Sequence, residues 1–304
     1  MTDGDRADAD DFAVAADDPV SAAVEVVARS APEIRAGLAG RRRKADEQNP
    51  SGETQLAADV WADELLERRL AAVDGIHQFA SEEREGVVDC GGEGASGGYA
   101  VTVDPLDGSS NLKPNNTMGT ILGVYDAALP AKGAQLVAAA YVLYGPITTM
   151  VVARDGEVTE YVLESEGDEL AERRAVREDV TLPDDPVVYG FGGRVPNWTD
   201  RFADYAGEIA DELKLRYGGA MIGDVNQVLT YGGVFAYPEL ESRPEGKLRL
   251  QFEGYPIGYV VETAGGASSD GSGSLLHVEP DDLHQRTPVY VGNEALVDRL
   301  EARF

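Results

Sequence analysis

Cysteine is almost missing from this chain. Cys90 stands alone, so neither an internal disulfide framework nor a multi-cysteine metal site can form. Histidine is nearly as scarce: His77, His277 and His284 show no ligand spacing to one another, which argues against a His-rich zinc site. No run of about 18 apolar residues occurs, and the N-terminal stretch carries acids where a signal peptide needs basic and then apolar residues. The expectation is a soluble, cytoplasmic chain with no membrane partner. Positive charge is also in short supply, with Lys+Arg 26 against Asp+Glu 55 and a formal net charge of -29. Phosphate-backbone affinity comes mainly from Lys and Arg, so broad nucleic-acid binding is excluded. Lysine is the rarer base, 5 against 21 arginines. An acidic, lysine-poor chain reads as adapted to a high-salt cytoplasm, where the Debye length shrinks to about 3 Å at 1 M and dense carboxylates repel weakly. In such a chain a single Asp or Glu carries little information, and only acids in an improbable local context count.

What is present is enough for a substantial core. Of 304 residues, 43% are hydrophobic, which suits one large domain or two packed ones. Residues 1–18, with seven Asp and one Arg, read as a disordered acidic tail. Val20, Val24, Val27, Ile34 and Leu38 recur at helical spacing, and a second amphipathic helix is expected from Thr54 to Val73. Between them lie the basic run Arg41-Arg42-Arg43-Lys44, read as a solvated helix end, and the turn Asn49-Pro50-Ser51-Gly52. From Phe79 onward short strands and glycine turns take over, including a hairpin at Asp155-Gly156. The polar stretch 164–186, with Pro183 and Pro186, is the expected domain boundary, dividing residues 19–180 from 181–304. Beyond it, strands are expected at Val187–Phe191, Val234–Tyr237, Lys247–Phe252 and Leu275–Val278, and helices at Thr199–Leu215 and Tyr255–Ala264.

The most informative string is Val103-Asp104-Pro105-Leu106-Asp107-Gly108-Ser109-Ser110-Asn111. It follows a strand directly, placing Asp104 and Asp107 at the strand end, where α/β sites collect. Pro105 stiffens the bend, Gly108 lets backbone approach a ligand, and Ser109 and Ser110 add hydroxyls beside backbone amides. Two hard-oxygen carboxylates beside a phosphate cradle are what magnesium-dependent phosphoryl chemistry needs.

This string resembles the signature of the lithium-sensitive, magnesium-dependent sugar and inositol phosphatase superfamily. Its two serines and Asn111 are similar to the class I fructose-1,6-bisphosphatase branch. Three further segments carry the same resemblance: Arg216-Tyr217-Gly218-Gly219-Ala220-Met221-Ile222-Gly223-Asp224, Tyr231 to Pro238 followed by Gly246-Lys247-Leu248-Arg249-Leu250, and Asp282-Leu283-His284-Gln285-Arg286-Thr287-Pro288. The resemblance implies an α/β fold of alternating helix and mixed-sheet layers and hydrolysis of a sugar bisphosphate at its 1-phosphate. It implies two or three Mg²⁺ ions, replaceable by Mn²⁺, held by Glu82, Glu83, Asp104, Leu106, Asp107 and Glu253. Asp59 and Glu83 would orient and deprotonate the attacking water. Asp107, Gly108, Ser109, Ser110, Arg216, Tyr217, Met221, Tyr237, Lys247 and Arg249 would contact substrate. Arg216 would reach a neighbouring subunit's site, implying a homo-oligomer, dimer or tetramer.

Departures also stand in the sequence. Where animal members carry a substrate-binding Asn and Tyr, this chain offers Gly192-Gly193-Arg194 and Asn197-Trp198, so Arg194 is a candidate phosphate contact. The Lys-Tyr pair of the animal AMP site reads Gly98-Tyr99. Two rival readings remain: an inositol or other sugar-phosphate phosphatase of the same superfamily, and a non-catalytic metal-sensing regulator retaining the fold.

Overall fold

The computed structural model describes residues 16–42, 44–48, 54–91 and 98–304. The first helix, α1 (Pro19–Leu38), starts where its sequence provides a cap: Val20 and Ser21 N–H donate to Asp18 Oδ1 at 2.9 and 3.0 Å. Asp18, grouped with the acidic tail by composition, is thus the N-cap; residues 1–15 and the turn at 49–52 lie outside the described residues. Two short strands, β1 (Lys44–Gln48) and β2 (Thr54–Leu56), pair before α2 (Ala57–Leu70). That helix starts three residues later than its periodicity predicts. Its buried face includes Asp59 and Asp63 one turn apart, while Val60 is only partly buried.

A sheet of eight strands follows: β3 (Ile76–Ser81), β4 (Val88–Asp89), β5 (Tyr99–Asp107), β6 (Met118–Tyr125), β7 (Leu136–Tyr144), β8 (Thr148–Arg154), β9 (Glu157–Glu166) and β10 (Glu169–Arg177), in the order β10-β9-β8-β7-β6-β5-β3-β4. All neighbours are antiparallel except β3 and β5. Strand alternation explains why both faces are covered. In β7, Ala138, Ala140, Val142 and Tyr144 join the core under α1 and α2, while Ala139 and Tyr141 join the core on the opposite face. β10 corrects the sequence reading of 164–186. Its charges belong to a largely exposed edge strand, so only the residues after Arg177 act as a connection.

The second sheet is built from β11 (Val188–Phe191), β12 (Lys214–Leu215), β13 (Gly233–Tyr237), β15 (Ala267–Ser269) and β17 (Val289–Gly292), in the order β12-β11-β13-β17-β15. Helices α4 (Met221–Tyr231) and α5 (Tyr255–Thr263) contribute Ile222, Val225, Val228, Ile257 and Val260 to the core shared by both sheets. On the far side, α3 (Asp200–Glu212) and α6 (Glu294–Glu301) cover the second sheet through Phe202, Tyr205, Ile209, Leu296 and Leu300. The chain is therefore layered helix, sheet, helix, sheet, helix, as expected. A separate pair, β14 (Leu248–Arg249) and β16 (Arg286–Thr287), lies apart from both sheets.

Two expected strands are replaced. Of Lys247–Phe252, only Leu248–Arg249 is extended; Leu250–Gly254 forms a wide π-helical turn leading into α5. The Glu253 carboxylate accepts the Arg249 N–H at 2.5 Å, which favours the turn over a continued strand. At Leu275–Val278, Ser274 Oγ accepts the Leu276 N–H and caps a 3₁₀ turn, Leu275–His277.

Candidate active site

Parallel pairing of β3 with β5 brings two acidic strand ends together. Ser81 is in register with Val103, and Glu82 N–H donates to Val103 O at 3.0 Å, so Glu82 and Glu83 leave β3 beside Asp104. The π-turn brings Glu253 from the other end of the chain. One carboxylate oxygen from each of Glu82, Asp104 and Glu253 lies within 4.8 Å of the others. Asp104, Asp107 and Glu253 are 3%, 5% and 5% exposed. Burial, and then the charges of Glu82, Asp107, Glu253 and Glu83, hold the Asp104 carboxyl well above the usual range. Glu253 is raised for the same reasons, burial first and then the charges of Glu82 and Asp107. Buried like charges at this spacing fit a divalent cation, whose charge relieves both penalties.

The bend after Asp104 is fixed at several points. Leu106 N–H donates to Asp104 Oδ1 at 3.0 Å, and Thr120 Oγ1 donates to Pro105 O at 2.8 Å. Gly108 sits at φ +72°, with the position of an added Cβ only 2.2 Å from Ala220 Cβ, so only glycine lets the loop meet the segment before α4. Ile222 N–H, at the start of α4, donates to Asp107 Oδ2 at 2.9 Å. Asp107 is nevertheless raised, chiefly by burial and then by the Glu82 charge.

Asp59 approaches from α2. Its Oδ2 accepts Leu56 N–H at 2.7 Å, while Oδ1 is buried without a partner. Burial pushes its pKa up to about 6 and the Glu82 charge adds to the rise, against the hydrogen bond from Leu56 N–H.

One cleft joins these groups. It is lined by Asp59, Glu82, Glu83, Asp104, Leu106, Asp107, Gly108, Ser109, Ser110, Tyr217, Met221, Tyr237, Lys247, Arg249 and Glu253, which is every candidate named from sequence except Arg194 and Arg216. Arg249 is 1% exposed, with Nη2 3.6 Å from Glu82 Oε1. Lys247 Nζ lies 5.4 Å from the Tyr237 ring centre. Arg216 is exposed, its guanidinium 5.8 Å from the Tyr231 ring centre. Arg194 is exposed and does not line the cleft, so it is not placed as a substitute phosphate contact in its own chain. Four lining residues were not singled out: Gly219, Phe235, Leu248 and Arg286. All lie inside segments that carry the resemblance, and Arg286 pairs with Arg249 across β14 and β16. Gly98 has φ +137°, with the His77 ring 1.8 Å from where a Cβ would stand, so a lysine there would clash.

A layered α/β fold with buried, converging carboxylates at the acidic end of a cleft and Lys and Arg beside them defines a metal-dependent phosphoester hydrolase. The comparisons narrow the class. Residues 18–171 match the family model described as fructose-1-6-bisphosphatase, N-terminal domain, and residues 182–304 match its C-terminal domain. The chain belongs to the fructose-1,6-bisphosphatase family. It is 65% identical over 285 residues to fructose-1,6-bisphosphatase class 1 of Natronomonas pharaonis, covering 94% of this chain and 98% of that one. A class 1 enzyme of Haloarcula marismortui is 55% identical over 289 residues, covering 95% and 96%. Both relatives come from halophilic archaea, in keeping with the acidity of this chain. Among solved structures, Leishmania major fructose-1,6-bisphosphatase in holo form has a TM-score of 0.83 and 28% identity, covering 100% of this chain and 95% of that one.

Proposed function

We propose that this chain hydrolyses fructose 1,6-bisphosphate at its 1-phosphate, giving fructose 6-phosphate and phosphate in gluconeogenesis. The observation that carries the reading is a single cleft with buried carboxylates at one end and Lys247, Arg249 and Tyr237 beside them. Glu82, Glu83, Asp104, Asp107, Glu253 and the Leu106 carbonyl hold two or three Mg²⁺ ions, or Mn²⁺ in their place. When bound, the ions supply charge neutralisation at the phosphate and the leaving alkoxide.

The protein's own groups do the rest. Asp59 Oδ2 is held by the Leu56 amide while Oδ1 has no hydrogen-bond partner, so Oδ1 accepts the proton of the attacking water, with Glu83 orienting it. A carboxyl raised to about 6 is a stronger base than an exposed aspartate and is still ionised at neutral pH. Amides and hydroxyls of Gly108, Ser109 and Ser110 cradle the reacting phosphate, together with Arg249. Tyr217, Met221 and Tyr237 line the sugar, and Lys247 takes the far side of the substrate.

The working unit is a cytoplasmic homo-oligomer, dimer or tetramer, in which residues 19–180 form the metal-binding part and 181–304 the sugar-phosphate part. Arg216 enters a neighbour's cleft. The test is phosphate release from fructose 1,6-bisphosphate, inositol 1-phosphate and glucose 6-phosphate, with and without Mg²⁺, in molar KCl. The reading expects fast, Mg²⁺-dependent release from the bisphosphate alone. Preference for the inositol phosphate, or release unaffected by chelation, overturns it.

A further inference from the structure

We infer that Asn111 and Asp224 work as a pair of positioning residues, gripping the Gly218–Gly219 turn so that the sugar-phosphate wall of the cleft stays at a fixed span from the metal-binding loop. The inference rests on the bisphosphatase reading. Asn111 closes the loop that contains Asp107 and is 8% exposed. Its Nδ2 donates to Thr117 O at 2.8 Å and to Gly218 O at 2.9 Å, so both of its N–H groups are used. The more exposed Asn116 Nδ2 also donates to Gly218 O, at 2.8 Å.

Asp224 holds the same turn from the other side. It lies in the first turn of α4 and is 2% exposed, with Oδ1 accepting Gly218 N–H at 2.7 Å. The peptide groups on both sides of Gly218 are thereby fixed, one by a donor from the metal loop and one by an acceptor from the helix. Gly219 has φ +84°, with Asn111 Oδ1 3.3 Å from where a Cβ would stand, so the turn and the asparagine are fitted to each other. Tyr217 precedes the turn, and both Tyr217 and Gly219 line the cleft.

The functional consequence follows from the substrate's shape. A bisphosphate must satisfy both ends of the cleft at once, whereas free phosphate engages only the metal end. A wall displaced by about 1 Å costs a well-oriented site as much as 100-fold, and the loss falls on ligands that touch the wall.

The test compares two ligands by calorimetry in the presence of Mg²⁺: fructose 6-phosphate, which occupies the sugar wall, and inorganic phosphate. Asn111→Ala and Asp224→Ala should each weaken fructose 6-phosphate, and raise KM for the bisphosphate, by about tenfold. Phosphate binding should stay within about twofold of wild type. Because both residues act on one turn, the double variant should resemble the worse single variant instead of showing a hundredfold loss. Asp224→Asn keeps the Oδ1 acceptor and should restore most of the affinity. If Asn111→Ala does not fold, Asn111→Asp removes the same two donors at equal volume and is held to the same outcomes. Equal weakening of both ligands, multiplicative losses in the double variant, or an unchanged KM would each overturn the inference. Failure of wild-type protein to bind fructose 6-phosphate instead removes the bisphosphatase reading, and with it the role of the turn.

Discussion

Asp104 and Glu253 are held protonated more tightly in the folded chain than in the unfolded one, because burial and neighbouring carboxylates both oppose their charge. The sign of the linkage follows. A group whose folded pKa is raised stabilises the fold at low pH, and that contribution disappears as pH rises through the folded value. Without divalent metal, the melting temperature in molar KCl should therefore fall as pH rises above the ordinary carboxylate range of about 4. Adding Mg²⁺ should remove the slope, since a bound cation reverses the preference for the protonated form. Asp104→Asn should flatten the slope in the metal-free protein. Thermal scans at fixed KCl measure it, and a metal-free protein whose melting temperature rises over this range would exclude the arrangement. Asp107→Asn, which changes one charge and little shape, should abolish turnover while the fold survives; near-normal activity at saturating Mg²⁺ would contradict the metal-site assignment.

Among elements, the loop from Asp107 to Asn111 is the most constrained. Gly108→Ala would force an alanine to φ +72° and drive its Cβ into Ala220. The expected result is a fall in kcat of about 100-fold, with a far smaller change in the circular dichroism melt. The same loop shows how much was legible beforehand. Its residues act locally, so strand, bend, glycine and hydroxyls could be read in order, and the alternation of β7 could be read equally well. The resemblance points to Glu253 but not to its turn, because a hydrogen bond from Arg249 N–H to its carboxylate replaces the strand that the side-chain pattern predicts. β10 is not legible as a strand because an edge strand tolerates charge on both faces, and its composition then mimics a linker. Asp224 lies in a segment that carries the resemblance but has no role in the sequence reading: in a chain with 55 acids, its position against Gly218 N–H is what sets it apart.

At the scale of the whole molecule, the net charge of -29 and the position of Arg216 raise separate questions. If the acidity is an adaptation to salt, lowering KCl from about 3 M to 0.1 M should depress the melting temperature, as carboxylates come within an unscreened distance of one another. An unchanged melt would point to a specific cationic partner. Arg216 is absent from the cleft of its own chain, although the segment carrying it supplies Tyr217 and Met221 to that cleft. It lies on the surface in sequence with Leu215 and Tyr217, 64% and 44% exposed, and close to Tyr231, 46% exposed. Large apolar side chains clustered around an arginine are what a contact between subunits contains. Arg216→Ala should raise KM for fructose 1,6-bisphosphate about tenfold, as expected for a lost charge-assisted phosphate contact. Subunit mixing separates action within a chain from action across an interface. A subunit with Arg216→Ala keeps its metal site, and one with Asp107→Asn keeps its arginine, so a hybrid contains a complete cleft only if Arg216 crosses over. Mixed and exchanged, the two defective proteins should regain low-KM activity that neither has alone. If the mixture shows only the sum of its components, or if sedimentation finds a fully active monomer, Arg216 does not act in the neighbouring site.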